Sequence, residues 1–138
     1  MYVSKGRLRL SRRELWNLND TLAKIICDAL KQFKKENVHG FPCDMYKEIG
    51  YETDYSEIIP DDVTQAAVDE WSRIIDFMIY FFDHKNKPYT DVNVRLGNMQ
   101  EVDNDQRWQD YCADMYAWEA GRAEAAEFFG RFMWHLWD

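Results

Sequence analysis

Four arginines near the amino terminus, Arg7, Arg9, Arg12 and Arg13, sit beside Trp16 in the chain. Guanidinium forks clasp phosphate and an indole can stack on a base, so this grouping holds the parts of a nucleotide site. The same residues read otherwise if Trp16 begins the core face of a helix and the arginines lead into it through solvent. A second grouping, His39-x-x-x-Cys43 with Asp44, brings metal-ligand types close together, although a turn histidine and a buried thiol account for it better. A third comprises Asp110, Asp114 and Glu119, with Asp69 and Asp76. Helical nucleotide hydrolases hold magnesium with acids spaced three or four apart on facing helices, whereas these acids are scattered and fall on solvent-facing positions. No CxxC, HExxH, ExxH or EF-hand pattern occurs, nor a nucleophile elbow. No catalytic residue, metal or cofactor is therefore expected.

The elements that must position these side chains are helices. Trp71–Phe82 (WSRIIDFMIYFF) places Trp71, Ile74, Ile75, Met78, Ile79 and Phe82 at helical spacing, and Phe77, Tyr80 and Phe81 widen the apolar surface. A helix apolar nearly all round is buried by protein or lipid. Asp76 and Asp83 interrupt a run far shorter than the roughly 20 residues a membrane span needs, so this is the central helix of a soluble domain.

Upstream, Ser11 and Glu14 form a capping-box pattern, and Asn17, Asn19 and Asp20 offer a second start. Leu15, Leu18, Leu22, Ile25, Ile26, Ala29, Leu30 and Phe33 share one helical face from there. Downstream, Trp108, Tyr111, Cys112, Met115, Trp118, Ala125, Phe129, Met133 and Leu136 recur at helical spacing, with Gly121 and Gly130 as points of bending. The expected fold is all-α, one domain of three principal helices over about 14–36, 62–84 and 104–137, with two long surface loops. Residues 1–13 are expected as a basic arm, because Leu8 and Leu10 alternate with Arg7 and Arg9 but no second strand is evident. Residues 37–61 form an acidic loop bearing Tyr46, Tyr51 and Tyr55, in which Cys43–Ile49 reads as a short helix. Pro60, Asp61 and Asp62 then open the central helix. Residues 85–103 form the other loop, with a weak strand signal at Val92, Val94 and Leu96.

The 138 residues are 46% hydrophobic and 16% aromatic, which excludes disorder and exceeds the rings a small core absorbs. The surplus points to an interface built from Trp108, Trp118, Trp134, Trp137, Tyr51 and Tyr55, with homo-oligomerisation its simplest use. Residues 1–35 carry a net charge of +6, leaving −14 for the remainder. That acidic bulk repels phosphate and argues against non-specific duplex binding, yet permits a local anion site at the amino end. Cys27, Cys43 and Cys112 are odd in number and far apart, and the basic amino terminus has no apolar leader core, so a cytoplasmic, reducing setting is expected, without a membrane.

LWNLNDTLAKII (Leu15–Ile26), HGFP (His39–Pro42), WSRIIDFMIYFF and EAAEFFGRFMWHLWD (Glu124–Asp138) together resemble a family of small tailed-phage and prophage proteins. Its members share a tryptophan-marked first helix, a W-x-x-I-[IL]-D-x-M-I centre and a terminal L-W. The resemblance implies a viral origin, a helical fold and a site of action in the host bacterial cytoplasm; it carries no catalytic residue across. The expected function is that of a non-enzymatic, oligomeric accessory protein acting against host defence. In one version it sequesters a small nucleotide signal through Arg7, Arg9, Arg12, Arg13 and Trp16. In another, the acidic loop occupies a basic surface of a host protein. A magnesium-dependent nucleotide hydrolase is the third version.

Overall fold

The computed structural model describes residues 1–36, 40–89 and 106–136. It is predominantly helical, as expected, and among the described residues no helix is long and apolar enough to cross a membrane.

The chain opens with a hairpin rather than a bare arm. Strand β1 (Tyr2–Ser4) pairs antiparallel with β2 (Arg7–Arg9), setting Tyr2 opposite Arg9, Val3 opposite Leu8 and Ser4 opposite Arg7. Lys5 and Gly6 both take left-handed backbone (φ 50° and 72°), the combination a two-residue type I′ turn requires. The missing second strand was therefore Tyr2–Ser4, too short to announce itself by alternation.

Helix α1 (Arg12–Trp16) begins at the anticipated capping box. Ser11 Oγ accepts from the Glu14 backbone N–H and Glu14 Oε2 accepts from Ser11 N–H at 2.7 Å. The first long helix is broken once. Asn17 leaves helical backbone (φ −111°, ψ 51°), and α2 (Leu18–Glu36) follows, tied across the break by Thr21 Oγ1 donating to the Glu14 carbonyl at 3.0 Å.

The acidic connection is less of a surface loop than its composition suggested. It contains α3 (Asp44–Glu48), whose Met45 and Tyr46 are buried, and Tyr46 packs against Phe41, Tyr51 and Tyr55. Helix α4 (Asp61–Phe82) starts after Pro60, as expected, and ends in a single 3-10 turn, His84–Asn86. Helix α5 (Gln106–Phe132) runs unbroken past Gly121 and closes in a 3-10 turn, Met133–His135. Residues 90–105, with the strand signal at Val92–Leu96 and the expected helix start, lie outside the described residues, as does Trp137.

Helix α4 is the centre. Its residues Ala67, Trp71, Ile74, Ile75, Met78 and Phe82 are buried between α2 on one side, α5 on the other and α3 at its amino end. Cys27 Sγ lies 3.6 Å from the Ile79 carbonyl, and Lys31 meets Asp83 at 2.8 Å. Lys34 pairs with Asp76. Asp20 beside His84 at one end and Lys34 on Asp76 at the other set α2 antiparallel to α4 with a large offset. Phe82, near the end of α4, lies opposite the middle of α2, so Leu15, Trp16 and Leu18 run past it, and Leu22 only borders the groove beside Phe82 and Phe129. Leu15, Leu18 and Leu22 were expected on the core face, and Trp16 on one of its two readings; the four are 39–86% exposed. Against α5, the rings of Trp71 and Phe132, and of Phe77 and Phe128, meet edge to face. Gly121 lies under the Phe81 ring: a Cβ there would lie 2.0 Å from Phe81 Cε1.

Candidate functional site

At the hairpin end, α1, α2 and the turn after α4 enclose an open cleft of about 660 Å³. Helical spacing puts Thr21, Lys24, Cys27, Asp28 and Lys31 of α2 along one wall; Asp83, His84 and Lys85 form the other, Phe82 the floor and Arg13 the rim. Four permanent cations thus face three carboxylates. Two of those carboxylates are already engaged. Lys31 hydrogen-bonds Asp83, which also caps the 3-10 turn by accepting from the Lys85 backbone N–H at 3.1 Å. The Lys31 hydrogen bond, and then that N–H, hold the Asp83 carboxyl below its ordinary range, while Asp83 raises the Lys31 ammonium. Asp20 takes Arg122 from α5 at 3.3 Å, with His84 Nδ1 at 4.0 Å. Arg13, Lys24 and Lys85 have no ion-pair partner among the described residues.

Cys27, 3% exposed at the back of the cleft, has its thiol pushed up by burial and so kept neutral. It packs there as a small apolar side chain. Phe82 also borders a separate apolar groove of about 250 Å³, on another face of α2, lined by Leu22, Ala23, Ile26, Arg122, Ala126 and Phe129.

The predicted basic grouping is only partly assembled. Of the four arginines, Arg13 lines the cleft; Arg7 and Arg9 stand on β2 and Arg12 on α1, all exposed. Trp16 is 86% exposed and is no core residue, but its indole does not line the cleft. Sequence reasoning missed Lys24, Lys31, Asp83, His84 and Lys85. The signal available was the Lys24, Asp28, Lys31 spacing on one face of α2, but the opposite wall comes from more than 50 residues away.

The aromatic residues proposed as an interface separate into three groups. Trp118 is 4% exposed, packed on Phe81 and Tyr80, and so belongs to the interior; its indole N–H has no acceptor among the described residues. Trp108 and Tyr51 are half-buried against Tyr111 and Tyr46. Trp134 and Tyr55 are open to solvent, at 79% and 55%.

Of the metal candidates, His39 lies outside the described residues, and Cys43 is exposed rather than a buried thiol. Asp44 faces His135 at 3.9 Å. Of the acids of the hydrolase version, Asp69 accepts from Gln65, Asp76 pairs with Lys34 and Asp110 accepts from Gln106. Among the described residues no three such side chains are placed to hold an ion. No family model matches the sequence, and neither a curated protein nor a solved structure matches it.

Proposed function

We propose that this is a non-enzymatic binding protein, of phage origin, that holds a small phosphate-bearing ligand of the nucleotide class in the cleft between α2 and the turn after α4. The observation that supports this reading is the convergence of Arg13, Lys24, Lys31 and Lys85, of which only Lys31 is neutralised by a carboxylate. An anion there gains charge-assisted hydrogen bonds worth roughly 1.5–3 kcal/mol each. Phosphate is favoured over a carboxylate because three cations on three different segments suit a group with several acceptor oxygens. Asp28 opposes it, so affinity rests on at least two of these contacts forming together. Sequestration of a host signal fits the phage resemblance, since binding alone removes the signal without turnover.

The test is titration calorimetry of linear and cyclic nucleotides against the wild type, Lys24→Glu and Lys85→Glu. Each charge reversal should weaken binding tenfold or more, by the scale of about 1.4 kcal/mol per decade. A nucleotide panel that gives no heat at millimolar concentration, or binding indifferent to both substitutions, refutes the proposal.

A further inference from the structure

The two ends of this molecule carry opposite charge, and each leaves large apolar side chains in water. At the hairpin end, residues 1–13 hold five lysines and arginines and no acid. The Val3–Leu8 face of the hairpin is uncovered, at 71% and 52% exposure, and Tyr2, Leu15 and Trp16 are open beside it. Met1, Tyr2, Val3, Leu8, Leu15 and Trp16 are each more than half exposed there, a set of large side chains of the kind an interface core uses. A two-stranded hairpin with no face packed is at best marginally stable on its own, so this one needs a companion surface.

At the other end, residues 44–62 hold seven acids against Lys47 alone. Ile58 is 96% exposed, Tyr55 stands at a left-handed backbone position (φ 64°), and Trp134 is held nearby because Asp44 meets His135 and Glu48 meets Arg131. The antiparallel pairing of α2 with α4 puts the basic hairpin beyond the carboxyl end of α4, and the acidic segment leads into its amino end. The 22-residue helix between them is about 33 Å long, so the two surfaces cannot meet within one chain.

From this complementarity we infer that the basic hairpin end of one molecule docks on the acidic Ile58 end of a second copy. The apolar side chains supply the burial, and the opposed charges set the polarity of the contact. A basic end meeting another basic end would bring Arg7, Arg9 and Arg12 together and is disfavoured. The occupant is therefore a copy of this chain in head-to-tail contact, rather than two like ends.

The experiment is sedimentation of the full chain from 1 to about 100 µM in low and high salt, against charge-swapped variants. One variant carries Arg7→Glu, Arg9→Glu and Arg12→Glu; the other carries Glu52→Lys and Glu57→Lys. The wild type should self-associate, and at least tenfold more weakly in high salt. Each swapped variant alone should remain a monomer, and an equimolar mixture should associate again. Ile58→Asp, a substitution at a fully exposed side chain, should abolish association with an unchanged melting temperature. A wild type that stays monomeric at 100 µM overturns the inference. So do swapped variants that still self-associate, a mixture that does not, or a basic end found to hold a different protein.

Discussion

At the scale of single residues, two glycines in one helix make opposite predictions. Gly121 lies where Phe81 presses on α5, and a Cβ would meet that ring at 2.0 Å, against helices whose backbones are already packed. Gly121→Ala should therefore destabilise by about 1–3 kcal/mol, overriding the roughly 1 kcal/mol that alanine gains in a helix. Gly130 has nothing within 4 Å of the same position, so Gly130→Ala keeps the propensity gain and should raise the melting temperature slightly. Thermal melts of the two variants decide it; equal shifts would mean that α5 does not seat on Phe81. Glu14 offers a second residue-level test. The amino-terminal ammonium of Met1 hydrogen-bonds its carboxylate at 2.5 Å, and with the Ser11 backbone and hydroxyl it holds the carboxyl at about 2. A carboxyl lowered on folding stabilises fully above its ordinary value of 4.5, and that contribution is lost as pH falls from there towards 2. The tether between hairpin and α1 should loosen over that window. Acetylating the amino terminus should move the Glu14 midpoint, followed by NMR, back towards 4.5; an unmoved midpoint would show that the ammonium is not its partner.

At the scale of elements, the core of α4 was legible because burial on three sides leaves its mark on nearly every position from Trp71 to Phe82. The capping box at Ser11–Glu14 and the opening of α4 after Pro60 were legible too, since each is a local hydrogen-bonding or backbone requirement. Periodicity on α2 identified an apolar face but not how far along the helix a neighbour extends. Leu15, Trp16, Leu18 and Leu22 carry the periodic pattern, yet α4 stops at Phe82 and leaves them open. Met45 and Tyr46 were unreadable for the converse reason: one turn of helix is too short to show a period, and the acids around it suggest solvent. The cleft was illegible because its two walls meet only through the α2–α4 pairing, which no local pattern encodes. The contrast between tryptophans measures this directly. Trp71, 5% exposed against Phe132, should cost about 3–5 kcal/mol when replaced by alanine. Trp16→Ala, at an 86% exposed position, should leave the monomer's unfolding midpoint nearly unchanged. A large loss at Trp16 would place that indole in the interior and remove the exposed surface at the hairpin end.

At the scale of the whole molecule, a net charge of −8 conceals a dipole: a basic hairpin end and an acidic end separated by the length of α4. Among the described residues each end displays one exposed tryptophan, Trp16 on α1 just after Arg12 and Arg13, and Trp134 on the turn whose His135 faces Asp44. Surface potentials of this kind concentrate counter-ions locally, so charged quenchers should distinguish the two indoles. In chains retaining only Trp16 or only Trp134 of these two, iodide should quench the former about twofold more than caesium, and the order should reverse for the latter. The difference must shrink as salt shortens the screening length from about 10 Å at 0.1 M to about 3 Å at 1 M. Dilution supplies the control. If the ends meet between copies, both indoles become less accessible as protein concentration rises, and both recover together in high salt. If the two indoles show the same preference in dilute solution, the charge is mixed over the surface rather than divided between its ends, and head-to-tail docking has no electrostatic basis.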